Sequence, residues 1–187
     1  MFGQKRAASV MRRLLASGVF LLILSSTACA QSGGSDEPTA ATSAPLQTTS
    51  REDAQRVVTE TYTSFLAVSD AIAAQGGSDT TKLAQVAEGN ALDEITESMG
   101  ELSDAGLRIT GATRLAFVEI AEWGDNRISA YICEDVGLVD LVDSQGKSLV
   151  SPDRIAVTPF EVELVRVGDA PFLLSERKVW TGKNFCS

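Results

Sequence analysis

The sequence predicts an α+β domain: three N-terminal helices packed on a curved antiparallel sheet of about four strands. Three observations predict it. Apolar residues recur at helical spacing between residues 54 and 102. Past Gly106 the pattern changes to strand-like runs bounded by turn residues. Those runs are joined by connections too short for parallel crossovers, so neighbouring strands must run antiparallel.

Ser50 followed three residues later by Asp53 makes a helix start resembling a capping box. Ala54, Val58, Tyr62, Phe65, Ser69 and Ile72 then share one helical face. Gly76-Gly77 ends that helix. A short second helix is expected from Asp79 to Ala87, closed by Gly89. Asn90 with Asp93 suggests a third start, and Leu92, Ile95, Met99 and Leu102 keep the period. Gly100 weakens this third helix by about 1 kcal/mol relative to alanine.

The strand runs begin with "RLAFVEIAEW", closed by the turn residues "GDN". "RISAYICEDVGLVDLV" follows, with a bulge or kink expected at Val136-Gly137. "DSQG" is the next turn. "TPFEVELVRV" alternates, placing Phe160, Val162 and Leu164 on one face and Glu161 and Glu163 on the other. After "GDAP", the stretch "FLLSERKVWTG" reads as the last strand.

A different texture precedes the helices. Lys5, Arg6, Arg12 and Arg13 form a basic region, and Leu14 to Leu24 is an apolar run too short to span a bilayer. Small residues then lead into Cys29. Ser26-Thr27-Ala28-Cys29 resembles the lipobox of bacterial lipoproteins, except that Ser26 stands where leucine is usual. The resemblance implies diacylglyceryl attachment to Cys29, cleavage before it, and a chain held at the extracytoplasmic face of the cell membrane. An ordinary secretory signal cleaved after Ala28 is the alternative. Met11 also opens a complete short signal, so both Met1 and Met11 stay open as starts. Residues 29–49 are rich in Ser, Thr, Ala, Gly and Pro and contain no aromatic residue. They read as a flexible tether with a root-mean-square span on the order of 25 Å. The expected organisation is therefore a signal over 1–28, a tether over 29–49 and a domain over 50–187.

Helices followed by a curved antiparallel sheet is the element order of the NTF2-like, cystatin-related cone. "LSDAGLRITGATRL", "ISAYICEDVGLVDLVDSQGKSL" and a final strand carrying Trp180 ahead of Cys186 resemble small actinobacterial lipoproteins with NTF2-like domains. The resemblance covers about residues 51–187. It implies a sheet wrapped against the long first helix, in some members with a pocket between them. The family includes enzymes, ligand binders and pocketless assembly modules, so the fold alone does not decide function.

Composition narrows the choices. The 187-residue chain has 25 acidic and 16 basic residues and a net charge of −9. Four basic and no acidic residues precede Cys29, so the chain from Cys29 onward carries −13. Such a charge repels phosphate backbones, which disfavours nucleic-acid binding, and anionic lipid as well. There is no histidine, which excludes Ser-His-Asp and Cys-His catalysis and removes the commonest zinc ligand. No cofactor or metal is expected.

Cys133 and Cys186 are the two thiols left if Cys29 is lipidated, and the exported compartment is oxidising. A disulfide between them would pin the C-terminus to the sheet and contribute roughly 4 kcal/mol on the chain-entropy estimate. "QGKS" at 145–148 lacks the earlier glycine of a phosphate loop and reads as a turn. Glu134, Asp135, Asp140 and Asp143 lack calcium-loop spacing and read as a solvated acidic edge. Tyr62, Phe65, Trp123, Tyr131 and Trp180 read first as core. Tyr62 and Tyr131 are also pocket candidates, because a buried hydroxyl needs a partner. Glu119 and Glu134 interrupt apolar strand faces and are the acids to inspect for carboxylate chemistry.

The leading expectation is a non-enzymatic interaction module in the cell envelope, meeting a protein partner or a second copy in a homodimer. Its alternatives are a binder of a small apolar or cationic ligand in the cone cavity, and a carboxylate-dependent enzyme.

Overall fold

The computed structural model describes residues 50–186. The expected signal, Cys29 and the tether lie outside the described residues. Helix α1 (Arg51–Ala74) comes first, then a 3-10 turn (Leu83–Gln85) and helix α2 (Gly89–Asp104). Six strands follow: β1 (Arg108–Thr110), β2 (Arg114–Trp123), β3 (Arg127–Asp135), β4 (Asp140–Val142), β5 (Val157–Val165) and β6 (Leu173–Val179). Four of them form a curved antiparallel sheet in the order β2-β3-β5-β6. β1 and β4 pair separately as a small antiparallel ribbon.

The first helix starts as the sequence indicates. Ser50 Oγ accepts the Asp53 backbone N–H at 3.1 Å, satisfying one of the free donors of the first turn. The helix ends at Ala74, before Gly76 and Gly77, both at positive φ. A Cβ on Gly77 would lie 2.2 Å from the Met99 carbonyl oxygen, so this turn also lets the end of α1 approach α2 closely.

The expected second helix does not form. Residues 79–87 contribute only the 3-10 turn. Asp79 Oδ1 instead accepts the Thr81 N–H and hydroxyl in a local turn. Beyond Leu83 the chain is drawn onto the sheet edge. The Leu174 N–H donates to Val86 O at 3.1 Å, and the Glu88 N–H to Leu174 O at 2.8 Å. Edge pairing to β6 takes backbone groups that a longer helix would need, so the domain has two α-helices, not three. Helix α2 also starts differently from its sequence signal. Asn90 does not cap it; its side chain donates to Glu176 Oε1 at 2.5 Å.

The long run after the first hairpin also divides. Asp135 Oδ1 accepts the Gly137 N–H at 2.7 Å, closing a turn that ends β3. The chain resumes as β4, which leaves the main sheet for β1. The expected kink at Val136-Gly137 is thus a full break.

One face of the main sheet packs on α1. Ile128, Ala130 and Ile132 of β3, Val162 and Leu164 of β5, and Leu174 of β6 meet Val57, Val58, Tyr62 and Phe65 of α1. A second cluster of Ile72, Leu83, Met99 and Leu102 joins the end of α1 to α2. Strand alternation sends the other half of each strand to the opposite face, which no helix of the described residues covers.

Candidate functional site

The helix-covered face contains one polar constellation. Tyr62 is fully buried on α1, and Glu134 of β3 is 4% exposed. The Tyr62 hydroxyl donates to Glu134 Oε1. Arg177 of β6 donates through Nε to the same oxygen at 3.0 Å and through Nη2 to Oε2 at 2.7 Å. Its Nε also reaches the Tyr62 oxygen at 2.9 Å. The guanidinium carbon lies 3.8 Å from the centre of the Phe160 ring, so cation–π contact supports the charge from one side.

Burial pushes the Tyr62 hydroxyl well above its ordinary pKa; the Arg177 cation opposes this, and the Glu134 charge adds to it. Burial works against the charge of Arg177, but its partners Tyr62 and Glu134 outweigh that and raise its pKa. Glu134 thus takes three donors on two oxygens. That arrangement suits fastening α1, β3 and β6 together. It leaves little capacity for moving a proton to an incoming group.

The uncovered face is built differently. Cys133 is one residue from Glu134 and points the other way. Its disulfide to Cys186, with Cα atoms 5.7 Å apart, folds the C-terminal tail back across the sheet. This strap carries Phe185 onto the strands. Phe185 lies 5.9 Å from Tyr131, 6.2 Å from Trp180 and 6.3 Å from Phe117, centre to centre. Tyr131 and Trp180 meet edge to face at 5.3 Å. Phe117 remains 43% exposed and Phe185 37%.

Acidic groups border these rings. Glu119 lies directly across from Tyr131, and Tyr131 directly across from Glu161. Both glutamates are exposed. Three ion pairs also lie on the face: Arg114 with Asp135 at 2.5 Å, Arg127 with Glu163 at 2.8 Å and Lys178 with Glu176 at 3.0 Å. The turn hydrogen bond from Gly137 and the Arg114 guanidinium hold the Asp135 carboxyl below its usual pKa.

The four pocket candidates therefore divide into two pairs. Tyr62 and Glu134 meet under the helix. Tyr131 and Glu119 are cross-strand neighbours on the open face. Three surface hollows are lined by none of the four. A 280 Å³ hollow lies along α1 and is lined by Val68, Ile72 and Lys82 among others. Shallow grooves at the sheet end and by the β4 loops also avoid them. Of the other aromatics, Phe65 is core beside Tyr62. Trp123 turns to the helix side after a bulge at Ile120/Glu122, where the Arg51 guanidinium lies 5.2 Å from its ring.

"QGKS" forms a turn: Asp143 Oδ1 accepts the backbone N–H groups of Gln145 and Lys147. The four acids read as one edge do not act together, since Glu134 is buried and Asp135, Asp140 and Asp143 each hold a separate local contact. Sequence reasoning missed Arg177 and Phe185. Arg177 is three residues after the inward Leu174, and only the register shift between them turns it to the same face, so alternation gave no signal for it. Phe185 follows from the strap, since it is next to Cys186.

No protein-family model matches the chain, and no curated protein is similar to it. Solved structures resemble the described domain weakly. A protein from Catenulispora acidiphila, known from two structures of which one is a complex with S-DNPA, is 16% identical with a TM-score of 0.45; the match covers 67% of this chain and 92% or 93% of that one. Aln2 from a Streptomyces species is 18% identical with a TM-score of 0.42, over 66% of this chain and 87% of its own. The intermembrane space region of the chloroplast protein ARC6 is 16% identical with a TM-score of 0.43, over 66% and 97%. At these values the likeness says nothing of what this chain binds.

Proposed function

We propose that this chain is a lipoprotein anchored through Cys29 outside the cell membrane, and that its NTF2-like domain is a non-enzymatic module that meets a protein partner. The observation that carries the reading is the open sheet face, where Phe117 and Phe185 stay exposed in a cluster fixed by a disulfide. Exposed rings grouped on one face and held rigid are the usual make-up of a binding surface. The competing reading, a ligand in the cone interior, is disfavoured by the closed Tyr62–Glu134–Arg177 cluster, which occupies the space beneath the helix. The tether would let the domain reach partners within a few nanometres of the lipid.

Two experiments on the exported full chain test this. A photo-reactive phenylalanine analogue replaces Phe117 in one variant and the exposed Glu97 of α2 in another. Irradiation in intact cells should give a discrete protein adduct from position 117 and none from position 97. Equal adducts, or none at 117, would sink the interaction face. Separately, Cys29→Ser should move the protein from the membrane fraction to the soluble one; unchanged fractionation would contradict the anchor.

A further inference from the structure

We infer that the open face receives a polypeptide segment carrying arginine or lysine side chains among apolar ones, and not a second copy of this chain. The inference rests on the interaction-face reading above and names the chemistry of its partner.

The first support is the arrangement of charge next to the rings. Phe117 and Glu119 are two residues apart on β2 and so share a face. Tyr131 sits between Glu119 and Glu161 in the strand register. Trp180 follows β6 beside Pro159, its backbone N–H donating to Pro159 O at 2.9 Å. An aromatic stripe thus runs beside a carboxylate stripe. Among the described residues neither Glu119 nor Glu161 has an ion pair within 4.0 Å, whereas Asp135, Glu163 and Glu176 do. Lys178 lies across from Glu161 in the register; its ammonium is 3.0 Å from Glu176 and also meets the Glu161 charge, so of the two Glu119 is the less compensated. A guanidinium or ammonium group laid over Phe117 or Tyr131 would meet ring faces and the Glu119 carboxylate together. Its apolar stem would cover the exposed ring edges.

The same charges argue against self-pairing. A two-fold contact would bring this face against its own copy. Glu119 and Glu161 would then face further carboxylates, in a chain already carrying −13 beyond Cys29. Edge-to-edge pairing of β2 is also hindered. This edge strand carries bulges at Leu115/Phe117 and Ile120/Glu122, and Arg51 caps the Ile120 carbonyl at 2.7 Å.

The test uses the detergent-extracted full chain and a labelled synthetic peptide of alternating arginine and leucine, with a glutamate-leucine peptide as the negative probe. Binding is read by fluorescence anisotropy, with sedimentation run at the same concentrations. The arginine peptide should bind and the glutamate peptide should not. Glu119→Gln with Glu161→Gln should weaken binding about tenfold, and Phe117→Ser by a similar factor. Glu97→Gln with Glu101→Gln removes the same charge from exposed α2 and should change it less than about twofold. Equal weakening by both glutamate pairs would reduce the effect to general acidity and overturn the inference. So would absence of binding, or a dimer abolished by Phe117→Ser. The cross-linking experiment separates the two failures. An adduct at position 117 with a protein lacking a basic apolar segment would leave the interaction face standing and overturn only its chemistry. No adduct would remove both.

Discussion

The two faces of one sheet solve opposite problems with neighbouring residues. Glu134 faces α1 and is closed off by Tyr62 and Arg177, so its charge is balanced by groups of the same chain. Cys133, one residue earlier, faces outward and holds a strap that leaves Phe117 and Phe185 in contact with solvent. The inner face is close to saturated: apart from the buried Ser69 hydroxyl, which has no hydrogen-bond partner, its buried polar side chains are paired and its apolar atoms are covered. The outer face is fixed in shape but unsaturated, with exposed rings and unpaired carboxylates. Saturation identifies what holds a fold, and rigid unsaturation identifies what can meet something else.

The largest expected effect tests the inner face. Glu134→Leu should cost about 3–5 kcal/mol in urea unfolding, because it strands Arg177 in a mostly apolar setting. Adding Arg177→Met and Tyr62→Phe should restore most of the loss, since apolar groups then replace the whole hydrogen-bonded set. A triple variant as unstable as the single one would mean that the cluster stabilises through something other than charge balance.

Replacing both Cys133 and Cys186 with serine tests the strap. It should cost at most about 4 kcal/mol, the chain-entropy value for the 53-residue separation. It should also shift Trp180 emission to the red as Phe185 leaves its ring. A stability loss without that shift would detach the strap from the aromatic face.

Tyr62→Phe should cost about 1.5 kcal/mol, the range for a hydrogen bond to a charged group. Its pH dependence adds a second reading. The hydroxyl's pKa is raised above 10.0 in the fold, so Tyr62 favours folding below pH 10 and loses that contribution as pH rises through the higher folded value. The wild-type chain should lose stability in that alkaline range, and Tyr62→Phe should show a shallower slope. The smallest effect belongs to the outer face. Phe117→Ser should change stability by less than about 0.5 kcal/mol, as for an exposed side chain. A larger cost would mean that the ring belongs to the core.

Much of this was readable beforehand. Ser50 and Asp53 marked the helix start, and Phe160, Val162 and Leu164 marked an inward face, because capping and alternation are local signals. The α+β class and the antiparallel sheet followed from them. The expected second helix, Asp79 to Ala87, failed because residues 86–88 are claimed by the backbone of Leu174, nearly ninety positions later, and periodicity carries no record of such pairing. The long strand failed at Gly137 because an Asp135 side chain competed with the ladder. For the site, Tyr62, Tyr131, Glu119 and Glu134 could each be named by type and position. Their division between two faces could not, since it depends on register across strands. Arg177 has no local signal, since its inward face follows from the β5–β6 register shift.

The most direct test is native mass spectrometry of the exported, detergent-extracted chain at rising collision energy. The account predicts a protein mass two hydrogens below that of the fully reduced chain, with no small molecule released as the energy climbs. A non-covalent companion released from the folded chain would contradict a saturated interior, and the fully reduced mass would contradict the strap that shapes the outer face.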